Sequence, residues 1–229
     1  MVKSKNQIYS ENHFSFFEKM LVSKRLEMLQ IIKRNIDISK LNSALDIGTT
    51  SEEDLESSNI IINNLKSIPT LNCISDQEVK NQQYKNKMIK SITDAFTLNE
   101  IELMKSDLVI SNAVIEHVGS LENQIKMVEN MVSLANKFTV IQTVNRWFPI
   151  EVHSKLPLIH WLPKKSFRFI LRNIGYEDLS KEENLNLLTL FEIHKIMKKC
   201  QSTFKFSYKV FDIKTFGFVS NFIIICRVS

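Results

Sequence analysis

A chain of 229 residues with 44% hydrophobic and 24% charged residues has the balance of a globular protein that buries a substantial core, which excludes extended disorder and allows one elaborated domain or two small ones. The net charge of +5 and pI near 9.0 lean mildly toward anionic partners such as phosphorylated substrates, nucleic acid or a membrane surface, yet the basic residues are spread among acidic ones.

The first predicted element is an amphipathic helix from His13 to Arg34. At 100° per residue Phe17, Leu21, Met28 and Ile32 fall within a narrow arc, widened by Met20 and Ile31. Ala44-Leu45-Asp46-Ile47 reads as a short strand, and Ser51 to Leu65 as a helix capped by Ser51, with Glu52, Glu53 and Asp54 suiting its positive start. Strand signals recur at Leu71–Ile74, Met88–Ile92 and Leu108–Ser111. Gly119 then precedes a helix with the stripe Leu121, Ile125, Val128, Val132 and Ala135, and Phe138–Val144 is a fifth strand. Strands separated by helical patterns imply parallel crossover units and an α/β sheet covered on both faces.

Beyond residue 144 the pattern changes. Three of the four prolines, Pro149, Pro157 and Pro163, break the chain beside Trp147 and Trp161. Lys165 to Ile174 reads as a helix stopped at Gly175, and Ser180-Lys181-Glu182-Glu183 has the form of a capping box opening another. The densest basic run, Lys195 to Lys199, suits a helix end. Phe204, Phe206, Tyr208 and Val210 alternate as a strand, Gly217 permits a turn, and Phe218 to Cys226 returns. A hairpin thus closes an otherwise parallel sheet.

Cys73, Cys200 and Cys226 are scattered, which argues against a disulfide framework and a zinc site. No apolar signal-peptide core follows M-V-K-S-K-N-Q, and the run Phe222–Cys226 is far too short to cross a bilayer. A soluble, cytoplasmic protein is expected.

The stretch S43-A-L-D-I-G-T-T-S-E-E-D54 carries most of the functional signal. In open α/β sheets ligands bind beyond the carboxyl ends of the strands, and Gly48 there lets a ligand approach the backbone. A pyrophosphate would want G-x-G-x-x-G and a helix start free of negative charge. The chain has G-T-T-S-E-E-D, which repels a pyrophosphate and tolerates a cation.

L-D-I-G at 45–48, T-D-A at 93–95 and D-L-V-I-S-N-A-V-I-E-H-V at 107–118 together resemble the class I S-adenosylmethionine-dependent methyltransferases, in their small-molecule, methyltransferase type 11-like branch, over roughly residues 40 to 145. The resemblance implies a Rossmann-like seven-stranded sheet, mostly parallel, whose antiparallel last strand inserts between the fifth and sixth, with helices on both faces. It implies S-adenosyl-L-methionine as cofactor. Asp46 and Gly48 would line its methionine end, Asp76 would hold the ribose, Asp94 and Ala95 would meet the adenine, and Asn112 and Ala113 would face the methyl group. Thr50 stands where the family commonly has a second glycine. Asp46 as a helix-cap acceptor and Glu116-His117 as plain surface stay open as alternatives.

The expected organisation is an N-terminal helical cap at 1–40 and a methyltransferase domain at 41–229, with a substrate-side insertion at about 145–200. A base is needed only where the acceptor loses a proton, and histidine titrates in the right range. His117, after the fourth strand, and His153, just past the fifth, are the candidates. Arg146, Trp147 and His160 lie in N145-R-W-F-P-I-E-V-H-S-K-L-P-L-I-H-W161, a proline-broken stretch suited to a binding lid. The alternative is that Trp147, Phe148 and Trp161 pack the insertion's own core. His13 and His194 read as structural, and no metal is expected. The leading expectation is methyl transfer to oxygen or nitrogen of a small, anionic or sugar-containing acceptor such as a glycan precursor. Its rivals are an RNA or DNA methyltransferase and a non-catalytic binding protein with a degenerate cofactor site.

Overall fold

The computed structural model describes residues 11–50 and 59–229, with side chains from Glu18 onward within those ranges. Five segments form parallel strands: β1 (Ser43–Ile47), β2 (Thr70–Ser75), β3 (Asn86–Ile89), β4 (Ser106–Asn112) and β5 (Ala135–Val144). β1 pairs with both β2 and β4, β2 with β3, and β4 with β5. The closing hairpin is β6 (Phe206–Thr215) and β7 (Phe218–Val228). Its two-residue turn, Phe216 at φ +51° and Gly217 at φ +83°, has the twist that antiparallel strands need. β7 runs antiparallel to both neighbours, and the sheet order is β3-β2-β1-β4-β5-β7-β6. The seven-stranded sheet with its inserted antiparallel last strand is therefore the architecture the sequence implied.

Alternation along the strands sorts the core into two layers. Ala44 of β1 and Leu108 and Ile110 of β4 pack with Met28, Leu29, Ile32 and Ile36. Leu45, Ile47 and Val109 face the other way, onto Met127, Met131, Ile193 and Ile196. The first layer is covered by α1 (Glu11–Asn35) and α2 (Ile60–Asn63), the second by α4 (Leu121–Ser133) and α6 (Leu190–Gln201). Among the described side chains of α1, Met28, Leu29 and Ile32 are buried and Val22 packs against the same layer, whereas Leu21 is 39% exposed. The side chains of His13 and Phe17 lie outside the described residues.

Several expectations are corrected. Of the helix expected from Ser51 to Leu65, the described part is α2, entered from Asn59 in the left-handed region; Ser51, Glu52, Glu53 and Asp54 lie outside the described residues. Ala135 opens β5 rather than closing α4. The short helix α3 (Leu98–Met104), opened by a Thr97–Glu100 capping box, is absent from the elements the sequence suggests. No helix opens at Ser180. That hydroxyl donates to the Glu177 carbonyl, and the next segment is drawn across the Gly119 turn, where Asn186 N donates to the Glu116 carbonyl at 2.7 Å and Leu188 bridges to Asn145. The real start of α6 is Thr189, whose side chain accepts from Glu192 N while Glu192 accepts in return.

The insertion carries α5 (Lys164–Asn173) and a small core of Val144, Phe167, Leu171, Leu185 and Leu187. Cys73, Cys200 and Cys226 are buried free thiols. Among the described residues no helix is long and apolar enough to cross a membrane.

Candidate functional site

Strand order reverses between β1 and β4, so their carboxyl ends flank an opening. Gly48 stands there at φ +77°, its N–H donating to the Ile74 carbonyl at 2.8 Å. A Cβ at Gly48 would lie 2.4 Å from Val114 Cγ2, far inside contact distance. Glycine is thus required twice, by the left-handed backbone and by the closeness of Val114.

Asp46 points into the α1–α2 layer and is buried. Its Oδ2 accepts from Thr49 Oγ1 at 2.7 Å and from the Tyr84 hydroxyl at 3.2 Å. With only neutral donors beside it, burial pushes its carboxyl pKa up to about 6. Thr50, at the place of the second family glycine, is clipped by Asn59. Thr50 N donates to Asn59 Oδ1 at 3.3 Å, and Asn59 Nδ2 to the Thr50 carbonyl at 3.0 Å.

Two cavities open at this edge of the sheet. One of about 220 Å³ is lined by Arg25, Asp46, Gly48, Asn59, Asn112 and Ala113. The other, about 250 Å³, is lined by Ser75, Asp76, Ile92, Thr93, His117 and Val118. Ile47, Gly48 and Val114 line both, so the two cavities adjoin at these residues. Asn112 Oδ1 is buried in the first cavity's wall and makes no hydrogen bond. Ala113 beside it is held at φ +57°, with its N–H donating to the Gln142 carbonyl. Such a left-handed non-glycine residue costs on the order of 1–3 kcal/mol and is typical of binding sites.

Of the residues proposed from the sequence, Asp46, Gly48, Asn112 and Ala113 line the first cavity, and Asp76 lines the second. Asp94 and Ala95 are exposed on the adjoining turn and line neither cavity; Ile92 and Thr93 stand there instead. The Ile92 and Asp94 carbonyls of that turn accept from Asn130 Nδ2 at 2.6 and 2.9 Å. Arg25, Asn59 and Val114 were missed. Arg25 comes from the distant N-terminal helix, and nothing local in the sequence marks it for a cavity.

The insertion residues divide. His160 is buried, with Nε2 2.7 Å from the Phe148 carbonyl and its ring edge-on to Phe167. Arg146 Nε donates to the His160 carbonyl and its terminal nitrogen to the Leu162 carbonyl, at 3.1 and 2.7 Å. Both tie the insertion together. Trp147 and Trp161 form an edge-to-face pair at 6.2 Å and remain 49% and 41% exposed, so they are not buried as Phe148 is.

His117 and His153, far apart in sequence, come together with ring centroids 4.8 Å apart. His117 Nδ1 is 2.6 Å from the Asn184 carbonyl, and His153 Nδ1 is 2.6 Å from Glu151 Oε1. The buried Glu151 also accepts from His153 N and Ser154 N, and these bonds hold its carboxyl at about 2, against the upward push of burial. Glu116 is completely buried beside them. Thr143 Oγ1 donates to its Oε2 at 2.9 Å, while its Oε1 makes no hydrogen bond.

No protein-family model matches the chain, and no curated protein matches it in sequence. Solved structures do match in shape. Magnesium protoporphyrin IX methyltransferase from Synechocystis PCC 6803, crystallised with S-adenosylhomocysteine, superposes at a TM-score of 0.54 with 13% identity, over 93% of this chain and 83% of that one. The methyltransferase domain of bacterial CtHen1 gives 0.53 and 12%, over 90% and 100%. A Rhodobacter sphaeroides protein named as a Zn-dependent alcohol dehydrogenase gives 0.56 and 7%, over 82% and 84%. At these identities the likeness is one of fold, which a named dehydrogenase shares in outline. The chemistry must be read from the cleft.

Proposed function

We propose that this chain, built on the class I S-adenosylmethionine-dependent methyltransferase fold, binds S-adenosylmethionine across the two cavities and transfers its methyl group to oxygen or nitrogen of a small molecule or glycan precursor. The observation that carries this reading is the unpartnered Asn112 Oδ1 beside the buried Asp46 carboxyl in the first cavity. Two such acceptors suit an ammonium group such as that of an amino-acid tail. Asp76, at the mouth of the second cavity, suits ribose hydroxyls, and Ile92 and Val118 offer apolar surface for a base.

Phosphate binding finds less support. The one lysine lining the second cavity, Lys90, is taken by Glu100 at 2.7 and 2.8 Å. Asp46 and Asp76 would repel a pyrophosphate.

S-adenosylmethionine, when bound, supplies an electrophilic methyl group on a sulfonium leaving group. The chain's own work is alignment, which can lower such a barrier by about 7–11 kcal/mol. Gly48 allows close approach, Asn112 and Ala113 define the end of the cleft, and Val114 stands where the two cavities adjoin. Where the acceptor is a hydroxyl, His117 and His153 are the groups suited to receive its proton, worth roughly 100- to 10,000-fold. The Trp147–Trp161 pair offers exposed aromatic surface on which a ring or sugar face stacks.

Calorimetric titration with S-adenosylhomocysteine tests the reading. Saturable one-to-one binding is expected; saturable NAD binding in its place would overturn it.

A further inference from the structure

We propose that Glu116, His117 and His153 form a binding site for a divalent transition-metal ion of the Zn²⁺, Co²⁺ or Fe²⁺ kind. One donor atom from each lies within 4.8 Å of the other two. The site sits where the turn after β4 meets the insertion, and His117 also lines the second cavity.

The hydrogen bonds fix which ring atoms are available. The Asn184 carbonyl can only accept, so His117 Nδ1 carries the hydrogen and Nε2 presents its lone pair. The Glu151 carboxylate likewise only accepts, which leaves His153 Nε2 turned out. A histidine oriented through its other nitrogen by a carboxylate or a backbone carbonyl is the usual arrangement of a metal-binding imidazole. Here both histidines have it.

The third donor gives independent support. Glu116 is fully buried, and Thr143 satisfies one carboxylate oxygen while Oε1 has no partner. An unsatisfied buried carboxylate oxygen costs more than the roughly 1–3 kcal/mol of a neutral group, so it calls for a cation. Two imidazoles and one carboxylate favour Zn²⁺, Co²⁺ or Fe²⁺ over Mg²⁺ or Ca²⁺, which prefer all-oxygen shells. Bonds of about 2.0–2.2 Å require donors roughly 3.3 Å apart. The exposed His117 ring supplies the small rotation that closes the set.

Three protein donors leave further coordination positions open. On the methyl-transfer reading, a bound metal would replace the two histidines as the activating group: it would lower the pKa of an acceptor hydroxyl, whose proton would pass to solvent. The metal site itself does not depend on that reading.

The metal-stripped 229-residue chain is titrated with Co²⁺ alone, followed by visible absorption and calorimetry. One equivalent should bind with new visible bands. His117→Ala and His153→Ala should each weaken binding at least tenfold. Glu151→Gln should weaken it by roughly 10- to 100-fold through loss of orientation. His194→Ala, whose ring pairs with Tyr208 elsewhere, should change nothing. His117 is exposed, so an unchanged melting curve for that variant separates lost ligation from lost folding. No saturable Co²⁺ binding by the unmodified protein, or an affinity in both histidine variants equal to that of the unmodified protein, overturns the proposal. Neither methyl donor nor acceptor is present, so failure of the transfer reading leaves this result intact.

Discussion

The Tyr84 hydroxyl donates to Asp46 Oδ2 at 3.2 Å, joining the segment that leads into β3 to the end of β1 beneath the first cavity. Thr49 is the other donor, and both are neutral, so the buried carboxyl titrates near 6 rather than near 3.8. The folded protein then holds a proton that the unfolded chain has released. The stability this contributes is fully present below about pH 4 and is lost as pH rises through about 6. Melting temperature should fall across that window, and Asp46→Asn should flatten the fall. Tyr84→Phe removes a donor to the charged form and should cost about 1.5–3 kcal/mol at pH 7, less at pH 4, by denaturant titration.

Gly48→Ala should destabilise the protein by about 1–2 kcal/mol from its left-handed backbone alone. The new methyl also meets Val114, at 2.4 Å from Cγ2 in the present arrangement. Gly48→Ala combined with Val114→Ala should recover the steric part but not the backbone part. A double-mutant cycle measures that coupling. Gly48→Val should abolish S-adenosylhomocysteine binding.

Asn112→Ala should weaken S-adenosylhomocysteine about tenfold, equivalent to ~1.4 kcal/mol, while leaving the melting temperature of the ligand-free protein unchanged or higher. The reason is that its Oδ1 has no bond to lose before ligand arrives. Asp76→Ala should weaken binding as well. Asp94→Ala should have a smaller effect, because Asp94 stands outside both cavities. Calorimetry on the three variants ranks them.

Thr189→Ala should cost about 0.5–2 kcal/mol, since it removes the cap of a helix whose Ile193, Ile196 and Met197 lie in the core. Ser180→Ala should cost less, because its hydroxyl only closes a turn. Chemical denaturation distinguishes them.

The sheet was legible because each buried strand is a short apolar run, and because glycines mark two of the turns beside them. Helix starts were less so. Ser180–Glu183 and Thr189–Glu192 share one local pattern, and only the pull of Asn186 and Leu188 toward the ends of the Glu116 and Asn145 segments decides between them. In the cleft, the residues at the ends of β1, β2 and β4 followed from strand position. Asp94 and Ala95 lie one turn beyond, where tertiary contacts from Asn130 set the geometry. The pairing of His117 with His153 depends on how the insertion folds back, which no local pattern encodes. Arg146 and His160 illustrate the converse: residue types suited to a ligand are used to hold backbone carbonyls.

Val114 has a consequence for recognition. Its side chain stands at the partition that both cavities share with Ile47 and Gly48, so the cleft should act as a bipartite receptor whose halves are filled separately. Adenosine and methionine, added as fragments, should occupy it together without competing. The affinity of the joined molecule then reflects how well its sulfur bridge matches the span over that partition, as for any tethered pair of ligands.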